Sequence, residues 1–544
     1  ASVNDGIFDT DGNQGAESVR GLDVTATSYG DVFLLAIAAS GSLGSDNSGQ
    51  GGGSGGSSSS GGGTKVGIAA SVGVAVLKGE TKATIGNGVA VNPVNTGANA
   101  AQGILLRGAG ETNLTNVTGG LAITLGGGDA GITGSVTVNE VDNFVWASAL
   151  GGNTLNAAGG GVRLDSHSKV DIDAVTIAVA GVIGTSSSSS GKKSSVNFSG
   201  AGAVTVNMVE TEARADIGAG SSVSTTGDLT LDASDDSAIS ADSGGVAITI
   251  STNNGTTAGS VGASVAVNDI TQTISATATD TSISAANVSA TADNSAVIDA
   301  LTIAGSAAAA TSGGSAFGGA GSGSGNYVKA DTVAEIIGGS VTATGDVTLA
   351  ATNSASVTAD AGSGALAVSL KGGNLGAIAV GAAAAVNEIT VVTSAALRGA
   401  SITQSDNVSL TSEFTGTITA TTFAVSGSVS SNSGPLALAG AGSGSGNFIA
   451  GKTEAVIGTR LVDGSTIAGA VTTGGNVTLI AKDTSTITST AGSGSASITV
   501  GGSGSNVGVG LGLSITENDI AMRTAAQILS TYVTAGGGLT MSAE

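Results

Sequence analysis

The segment of the chain closest to a known chemical motif is GNFIAGKT, residues 446–453, which matches the phosphate-binding pattern GxxxxGK[ST]. That chemistry needs a strand before the loop and a helix after it, so that backbone amides and Lys452 surround a phosphate. The following residues, TEAVIGTRLVDG, have no helical pattern, and Asn447 belongs to a phrase that recurs along the chain. We therefore interpret GNFIAGKT as part of a structural repeat.

Nucleophilic catalysis is equally poorly supported. The segment GGSGG at 52–56 matches the GxSxG pattern of hydrolases, but it lies in a Gly-Ser tract where such a match arises by chance. A catalytic triad also needs a histidine, and the chain has one, His167, within RLDSHSKVD. We interpret His167 as an exposed strand or turn residue and predict that the protein is not an enzyme.

One segment has the ligand spacing of a calcium loop. In DTDGN, residues 9–13, Asp9, Asp11 and Asn13 occupy alternate positions, with Glu17 beyond them. These oxygen ligands suit a hard cation, although the glutamate expected at the twelfth position is missing. Calcium is therefore the one possible cofactor, and a solvated acidic turn is the competing interpretation. Acidic turns such as DASDD at 232–236 could hold calcium in the same way.

The bulk composition excludes several classes of partner. The 544 residues include 92 glycines and 2% aromatic residues, carry a formal charge of −23, and contain no cysteine. Such an acidic chain does not suit nucleic acid, which requires dense Lys and Arg. Disulfides and thiolate metal sites are impossible. The longest apolar run, at 375–386, is shorter than the about 18 residues that a spanning helix requires, so we predict no transmembrane segment.

A repeat organises the chain. Its first marker is an asparagine in phrases such as VTVN, and its second is a GDLTL-like phrase found at Asp31, Asp228, Asp346, Asn407 and Asn476. The sequence intervals between successive first markers are 68, 61, 58, 61, 60 and 71. The marker asparagines are Asn139, Asn207, Asn268, Asn326, Asn387, Asn447 and Asn518. We predict a structural role for them, as stacked side chains that satisfy backbone groups at turns.

A period of about 60 residues predicts a solenoid or an array. Within DLTLDA, Leu229, Leu231 and Ala233 alternate with polar residues, which indicates strands. We predict an all-β fold, a right-handed parallel β-solenoid with Gly/Ser-rich loop insertions. Strands bounded by Gly and Ser clusters every 6–12 residues would place two or three coils in each period, and nine periods would then form a rod of about 85–130 Å. A string of small antiparallel sandwiches is the alternative fold.

The chain divides into repeats rather than domains. We predict one continuous array over residues 1–544, of about nine units of about 60 residues, and interpret residues 41–63 and 186–195 as flexible loop insertions at one corner of the solenoid. The repeat is incomplete at both ends, so we expect the chain to be a segment of a longer repetitive polypeptide.

The phrases GAAAAVNEI (381–389), GDVTLAATNSASVTADAGSG (345–364) and GNVTLIAKDTSTITSTAGSG (475–494) resemble the repeats of giant bacterial surface proteins. These are the leukotoxin-type repeat proteins and, more loosely, the filamentous-haemagglutinin-like adhesins. The resemblance implies a secreted parallel β-helix that serves as a surface adhesin or filament. It carries no toxin motif and no export domain in this segment.

Together these observations predict a structural or adhesive extracellular rod on a bacterial cell surface. We expect it to self-associate head to tail into filaments or to contact cell-surface or matrix partners. The alternative is a module that binds glycans or calcium on a solenoid scaffold. Glycan binding would use exposed aromatic residues, and Trp146, Tyr327 and Phe448 are few and dispersed. A polysaccharide lyase would need a cluster of acid and base residues that the sequence does not display.

Overall fold

The computed structural model describes residues 2–3, 7–8, 21–43, 65–93, 99–126, 130–185, 196–371, 376–431, 436–462, 465–501 and 506–544. Within these ranges the regular secondary structure consists of strands alone, and almost all of them belong to three parallel sheets. The one antiparallel pair described is a hairpin of Arg460–Val462 with Ser465–Ile467. The predicted parallel β-solenoid is confirmed, and the alternative of small antiparallel sandwiches is wrong.

The three sheets are named A, B and C in chain order. Sheet A consists of Ser2–Val3, Val66–Ile85, Ala130–Ala149, Val196–Ile217, Thr257–Thr279, Ala316–Ile337, Ala377–Arg398, Leu436–Gly458 and Val507–Ile528. Sheet B consists of Ile7–Phe8, Ala90–Val91, Thr154–Ala157, Ser222–Thr225, Ser282–Ala285, Ser340–Ala343, Ser401–Gln404, Ala470–Thr473 and Tyr532–Ala535. Sheet C consists of Gly21–Leu43, Gly103–Leu125, Gly161–Gly184, Leu229–Ser251, Val288–Ala310, Val347–Ser369, Val408–Ser431, Val477–Asp483 with Thr486–Val500, and Leu539–Ala543.

One period of the sequence forms one coil of the solenoid. Each coil takes one strand from each sheet, and equivalent residues of successive periods are direct neighbours, as Asn207 and Asn268 are. The prediction of two or three coils in each period is therefore wrong. Gly and Ser clusters do not end the strands: GSGSG at 321–325 lies inside Ala316–Ile337. Nine coils stack to about 43 Å, half or less of the predicted length, and a 22-residue strand is about 73 Å wide.

The interior changes character along this width. Near sheet B, which connects the two long sheets, the core is built from large aliphatic side chains such as Leu164, Leu231 and Leu349. Leu229, Leu231 and Ala233 all point inward, as their alternation predicted. Farther from sheet B a second cluster contains Val170, Ile239 and Phe414, among others. Beyond that cluster the remaining hydrophobic clusters consist of alanines, with Val182 buried near them.

The connections from sheet C back to sheet A lie at the end of the coil opposite sheet B. The predicted insertions fall here in the chain, between one C strand and the next A strand. Residues 44–63 of the first and all of 186–195 lie outside the described residues, so their flexibility stays a prediction.

Candidate functional surfaces

The marker asparagines form a continuous ladder inside sheet A. Each side-chain Nδ2 donates to the Oδ1 of the asparagine in the next coil, at 2.7–2.8 Å. All of them except Asn518 are fully buried. The structure therefore places each amide where it is both a donor and an acceptor, so a buried side chain finds a partner on each side along the stack.

The ladder is closed at its first coils by another asparagine. The equivalent position one coil before Asn139 is Ala75, which offers no amide. Asn116, on sheet C, instead donates its Nδ2 to Asn139 Oδ1 at 2.7 Å. At the other end Asn518 is exposed and donates to Ser489 Oγ at 3.0 Å. The central amides are thus satisfied by the coils on either side, and an added coil would extend the same pattern.

The second sequence marker builds a ladder at the turn from sheet B to sheet C. Asp228 Oδ1 accepts hydrogen bonds from the backbone N and the Nδ2 of Asn287, at 3.1 and 2.8 Å. Asp346 does the same for Asn407, at 3.0 and 2.8 Å. Asn287 separates Asp228 from Asp346, so two carboxylates are never direct neighbours. Five successive coils are thereby linked at this turn, by Asp228, Asn287, Asp346, Asn407 and Asn476.

One predicted marker does not belong to this ladder. Asp31 lies in the middle of Gly21–Leu43, where it pairs with Asn113 instead of occupying the turn. The position of the first coil that corresponds to Asp228 is Gly21, through the pairs Gly21–Gly103, Gly103–Gly161 and Leu229–Val162. A short phrase with period-two alternation occurs at many places in a long strand, so the sequence match chose the wrong one.

The structure places the motif candidates on strands. GNFIAGKT lies entirely within Leu436–Gly458, and Lys452 Nζ pairs with a carboxylate oxygen of Glu454 at 3.0 Å. No loop precedes it and no helix follows it in the described chain, so it has none of the geometry of a phosphate-binding loop. His167 is exposed on sheet C, with Nδ1 2.9 Å from Ser234 Oγ. The segment GGSGG lies outside the described residues.

The predicted acidic turn at 232–236 is a strand. It lies within Leu229–Ser251, so Asp232 and Asp236 face outward while Asp235 points into the core, where it is 1% exposed. Burial raises the pKa of Asp235, and hydrogen bonds from Ser237 and Gln272 to its Oδ1 oppose that rise. Its second carboxylate oxygen has no hydrogen-bond partner. Asp235 is therefore a buried side chain whose ionised form is disfavoured, and it cannot be a surface calcium ligand.

Charge is concentrated on the outer faces near sheet B. On sheet A, Lys78 Nζ bridges Asp142 at 2.7 Å and Glu140 at 2.9 Å, and the pKa of Lys78 is raised by these hydrogen bonds, with Asp142 contributing most. On sheet C, Asp232 is partly buried and lies near Asp165, which together raise its pKa. The described residues hold no group of three or more His, Cys, Asp or Glu that could bind a metal. Asp9, Asp11 and Asn13 lie outside the described residues, so their calcium site stays a prediction.

The aromatic residues do not form a sugar-stacking platform. The Trp146 ring is covered by Lys82, whose Nζ lies 3.8 Å from the ring centroid, and Arg214 lies 5.7 Å from it. Tyr327 and Phe448 face outward in one column of sheet A, with Glu388 between them. Trp146 is thus occupied by cations, and Glu388 separates Tyr327 from Phe448; the outward rings Phe144, Phe198 and Phe317 lie in other columns of sheet A.

The outer faces in the half of each coil away from sheet B are apolar. We call this half the tip half; on sheet A it runs from the start of each strand to the residue before the asparagine ladder. Its outward positions in eight coils are filled by Val, Ile, Leu, Phe, Ala and Gly, except for Thr257 at the start of one strand and Glu517 in the last coil. Representative side chains are Ile132, Val265 and Val380, which are 44%, 40% and 50% exposed.

Sheet C repeats this pattern on the opposite side of the coil. The last four outward positions of each strand are apolar or Gly in eight coils, except for Ser431 at the end of one strand. Exposed outward side chains in this part of the sheet include Ile177, Ile303 and Phe423, which are 49%, 49% and 53% exposed. Nearer sheet B the outward residues of the same strands become Asp, Ser and Thr, such as Asp173, Ser240 and Asp299. Both outer surfaces of the tip half are therefore uncharged, apart from Glu517.

The interior of the tip half is polar and thin. Its inward residues are mainly Gly, Ala, Ser and Thr, and hydroxyls bond across the gap, as Thr118 with Thr137 at 2.7 Å and Thr137 with Thr176 at 2.6 Å. The sheets approach so closely that a Cβ on Gly381 would lie 2.7 Å from the Val425 carbonyl oxygen. This arrangement, with apolar side chains outside and small polar ones inside, was not predicted from the sequence. The pattern that indicates it is Val or Gly alternating with Ser, Ala or Gly.

The two ends of the stack present unpaired strand edges. Val507–Ile528 pairs with Leu436–Gly458, and Gly21–Leu43 pairs with Gly103–Leu125; the described residues add no second neighbour to either. At the last coil Val533 and Ala535 pack against the aliphatic core but are only partly buried. Among the described residues, the terminal strands therefore have one free edge each, and Val533 and Ala535 remain partly accessible.

No family model, curated protein or solved structure matches the chain. The resemblance to leukotoxin-type and haemagglutinin-like repeats therefore stays a prediction. The described part of the chain has no helix that is long and apolar enough to cross a membrane.

Proposed function

We propose that the chain is a structural segment of an extracellular bacterial surface filament, in which coils of successive copies stack end to end. The observation that supports this proposal is that the three parallel sheets and the aliphatic core continue from coil to coil, with an unpaired strand edge at Val507–Ile528. A second copy placed on the last coil would pair the free edge of Val507–Ile528 and cover Val533. An adhesive role, in which the filament contacts cell-surface or matrix partners, is part of the same proposal.

Stacking of this kind differs from ordinary aggregation because the contact is heterologous. The first coil of one copy meets the last coil of the next, so the two surfaces are different and the assembly does not close on itself. Each junction would continue three parallel sheets at about 4.8 Å. The expected product is an unbranched fibre about 70 Å wide that gains about 43 Å in length with each copy.

Electron microscopy of the purified chain, with and without calcium, tests the proposal. The informative variant is Val533→Lys, which places a charge on the open end of the core, where a stacked copy would bury it. The matched control is Thr534→Lys, because Thr534 is the next residue of the same strand and is exposed on the outer face. We expect fibres from the parent chain and from Thr534→Lys, and isolated particles from Val533→Lys. Isolated particles from all three would overturn the proposal.

Calcium in this experiment addresses the alternative function. A requirement for calcium would support a cation-binding module and would direct attention to Asp9, Asp11 and Asn13. Fibres that form equally well in the presence of a calcium chelator would mean that the strand edges and the core stabilise the stacking without calcium.

A further inference from the structure

The tip half combines an apolar exterior with a polar interior, which is the reverse of the half near sheet B. On sheet A alone, five outward positions in each of eight strands cover about 33 by 38 Å, on the order of 1,200 Å². A soluble monomer rarely exposes a continuous apolar patch larger than a few hundred Å². Sheet C presents a second patch on the opposite side, so the tip half is apolar on both of its broad surfaces.

The interior chemistry shows what holds the tip half together. In water, two sheets are normally held by large apolar side chains between them, as Leu164 and Leu231 are near sheet B. In the tip half small residues allow close backbone approach, and hydroxyl groups bond across the gap: Thr249 Oγ1 donates to Ser199 Oγ at 2.7 Å, and Ser264 Oγ donates to the Ser243 carbonyl at 2.6 Å. Small residues and polar contacts are what join segments whose surroundings are already apolar.

The width of the apolar patch matches the thickness of the hydrocarbon core of a lipid bilayer. The uncharged outward positions span about 8–10 residues along the strands, or about 26–33 Å, and the hydrocarbon core of a bilayer is about 30 Å thick. On sheet A the patch ends at a column in which Tyr327 and Phe448 alternate with Asp269, Glu388 and Asp519, and Lys78 and Asp142 follow it. On sheet C it ends at Asp residues. Aromatic and charged residues are typical of the boundary between lipid and water.

We propose that the tip half spans the hydrocarbon core of a lipid bilayer, with its two apolar surfaces facing acyl chains, the charged half near sheet B in water on one side, and the tip residues Lys65 and Lys371 at the opposite interface. A second copy packed face to face would cover one surface and leave the other exposed, whereas lipid covers both. Lipid leaves unpaired strand edges unsatisfied, so this inference rests on the end-to-end stacking proposed above, which pairs them.

The absence of cysteine allows labels at single sites. Val265 lies in the sheet A patch and Val297 lies on sheet C outside the patch, and both are 40% exposed. An environment-sensitive fluorophore is attached to Val265→Cys or to Val297→Cys, and each protein is mixed with dioleoylphosphatidylcholine vesicles. We expect a blue shift of emission, and quenching by lipids that carry a quencher on the acyl chain, at position 265 only.

Flotation with the same vesicles measures the energetics. The double variant Val265→Lys/Ile177→Lys places one charge in each apolar surface, and Thr271→Lys/Val297→Lys places the same charges outside the patches. A lysine near the bilayer centre lowers the lipid/water partition at least about thirtyfold. We therefore expect the first variant to lose flotation and the second to retain it.

Two results would overturn the inference, and microscopy of the same samples separates them from a failure of stacking. The first is fibres that form normally but neither float nor show a lipid-dependent shift at position 265. The second is a blue shift at position 265 that appears without lipid and grows with protein concentration, which would identify a second copy as the occupant. If no fibres form with or without vesicles, the stacking proposal fails, and the lipid inference that rests on it is overturned as well.

Discussion

Replacing Asn268 by alanine tests the asparagine ladder at its centre. Asn268 accepts from Asn207 Nδ2 and donates to Asn326 Oδ1, each at 2.8 Å, and it is fully buried. Alanine removes both contacts and leaves a donor on one side and an acceptor on the other without partners. An orphaned buried polar group costs about 1–3 kcal/mol, so we expect Asn268→Ala to lower the free energy of unfolding by about 2–5 kcal/mol.

The ladder provides its own control. Asn518 occupies the equivalent position in the last coil, where it is exposed to water and accepts from Asn447 at 2.8 Å. Asn518→Ala leaves Asn447 Nδ2 close to solvent, so we expect a loss below about 1 kcal/mol. The same chemical change should therefore have very different costs at the two positions, because burial differs.

Urea unfolding followed by circular dichroism measures the free-energy difference. Hydrogen exchange over Thr257–Thr279 then reports whether the loss is local, since each coil contacts mainly its two neighbours. We expect faster exchange in this strand and in the strands on either side. The role assigned to the ladder would be refuted by equal costs for Asn268→Ala and Asn518→Ala, or by a cost at position 268 below about 0.5 kcal/mol, the lower end for a single hydrogen bond.

Two further substitutions test the interior. Gly381→Val places a side chain against the Val425 carbonyl oxygen and is expected to lower the free energy of unfolding by about 1–3 kcal/mol or more, whereas Gly440→Val, on the open outer face of the same sheet, should change it by less than about 0.5 kcal/mol in urea unfolding. Because burial raises the pKa of Asp235, its ionised form destabilises the folded state; stability from this group is retained below the unfolded pKa of about 4 and falls as pH rises through the higher folded pKa. Asp235→Asn should therefore be more stable than the parent by about 1 kcal/mol or more at pH 7, with the difference vanishing near pH 3 in unfolding curves measured across that range; a constant difference would contradict the assignment.

The fold class could be predicted because the repeat and the alternation are local signals. The spacing of the marker asparagines predicted a stack, and Leu229, Leu231 and Ala233 predicted the inward face correctly. The number of coils in each period could not be predicted in the same way. Gly and Ser usually end strands, but GSGSG at 321–325 stays extended because the strands on both sides pair with every residue of it.

The surfaces were harder to predict than the fold. Period-two alternation separates two faces of a strand without stating which face is inside. In several tip-half strands the larger residue of a pair, such as Val265, is outside and the smaller one, such as Ser264, is inside, whereas in Ala316–Ile337 glycines face outward and Ser324 faces inward. Close approach of two sheets, seen at Gly381, decides this orientation, and that approach is a tertiary property. Alternation also did not show which residues of DASDD face inward, so the segment was interpreted as an exposed turn although Asp235 is buried.

One distance tests the central claim that each period of the sequence forms one coil. Thr115 and Thr419 face outward on sheet C in one column, five coils apart through Asp173, Ser240, Asp299 and Thr358. With spin labels on Thr115→Cys and Thr419→Cys, in the Val533→Lys background to prevent stacking, pulsed electron resonance should give a separation of about 24 Å. A separation of about 48 Å or more would mean at least two coils in each period and would contradict the account.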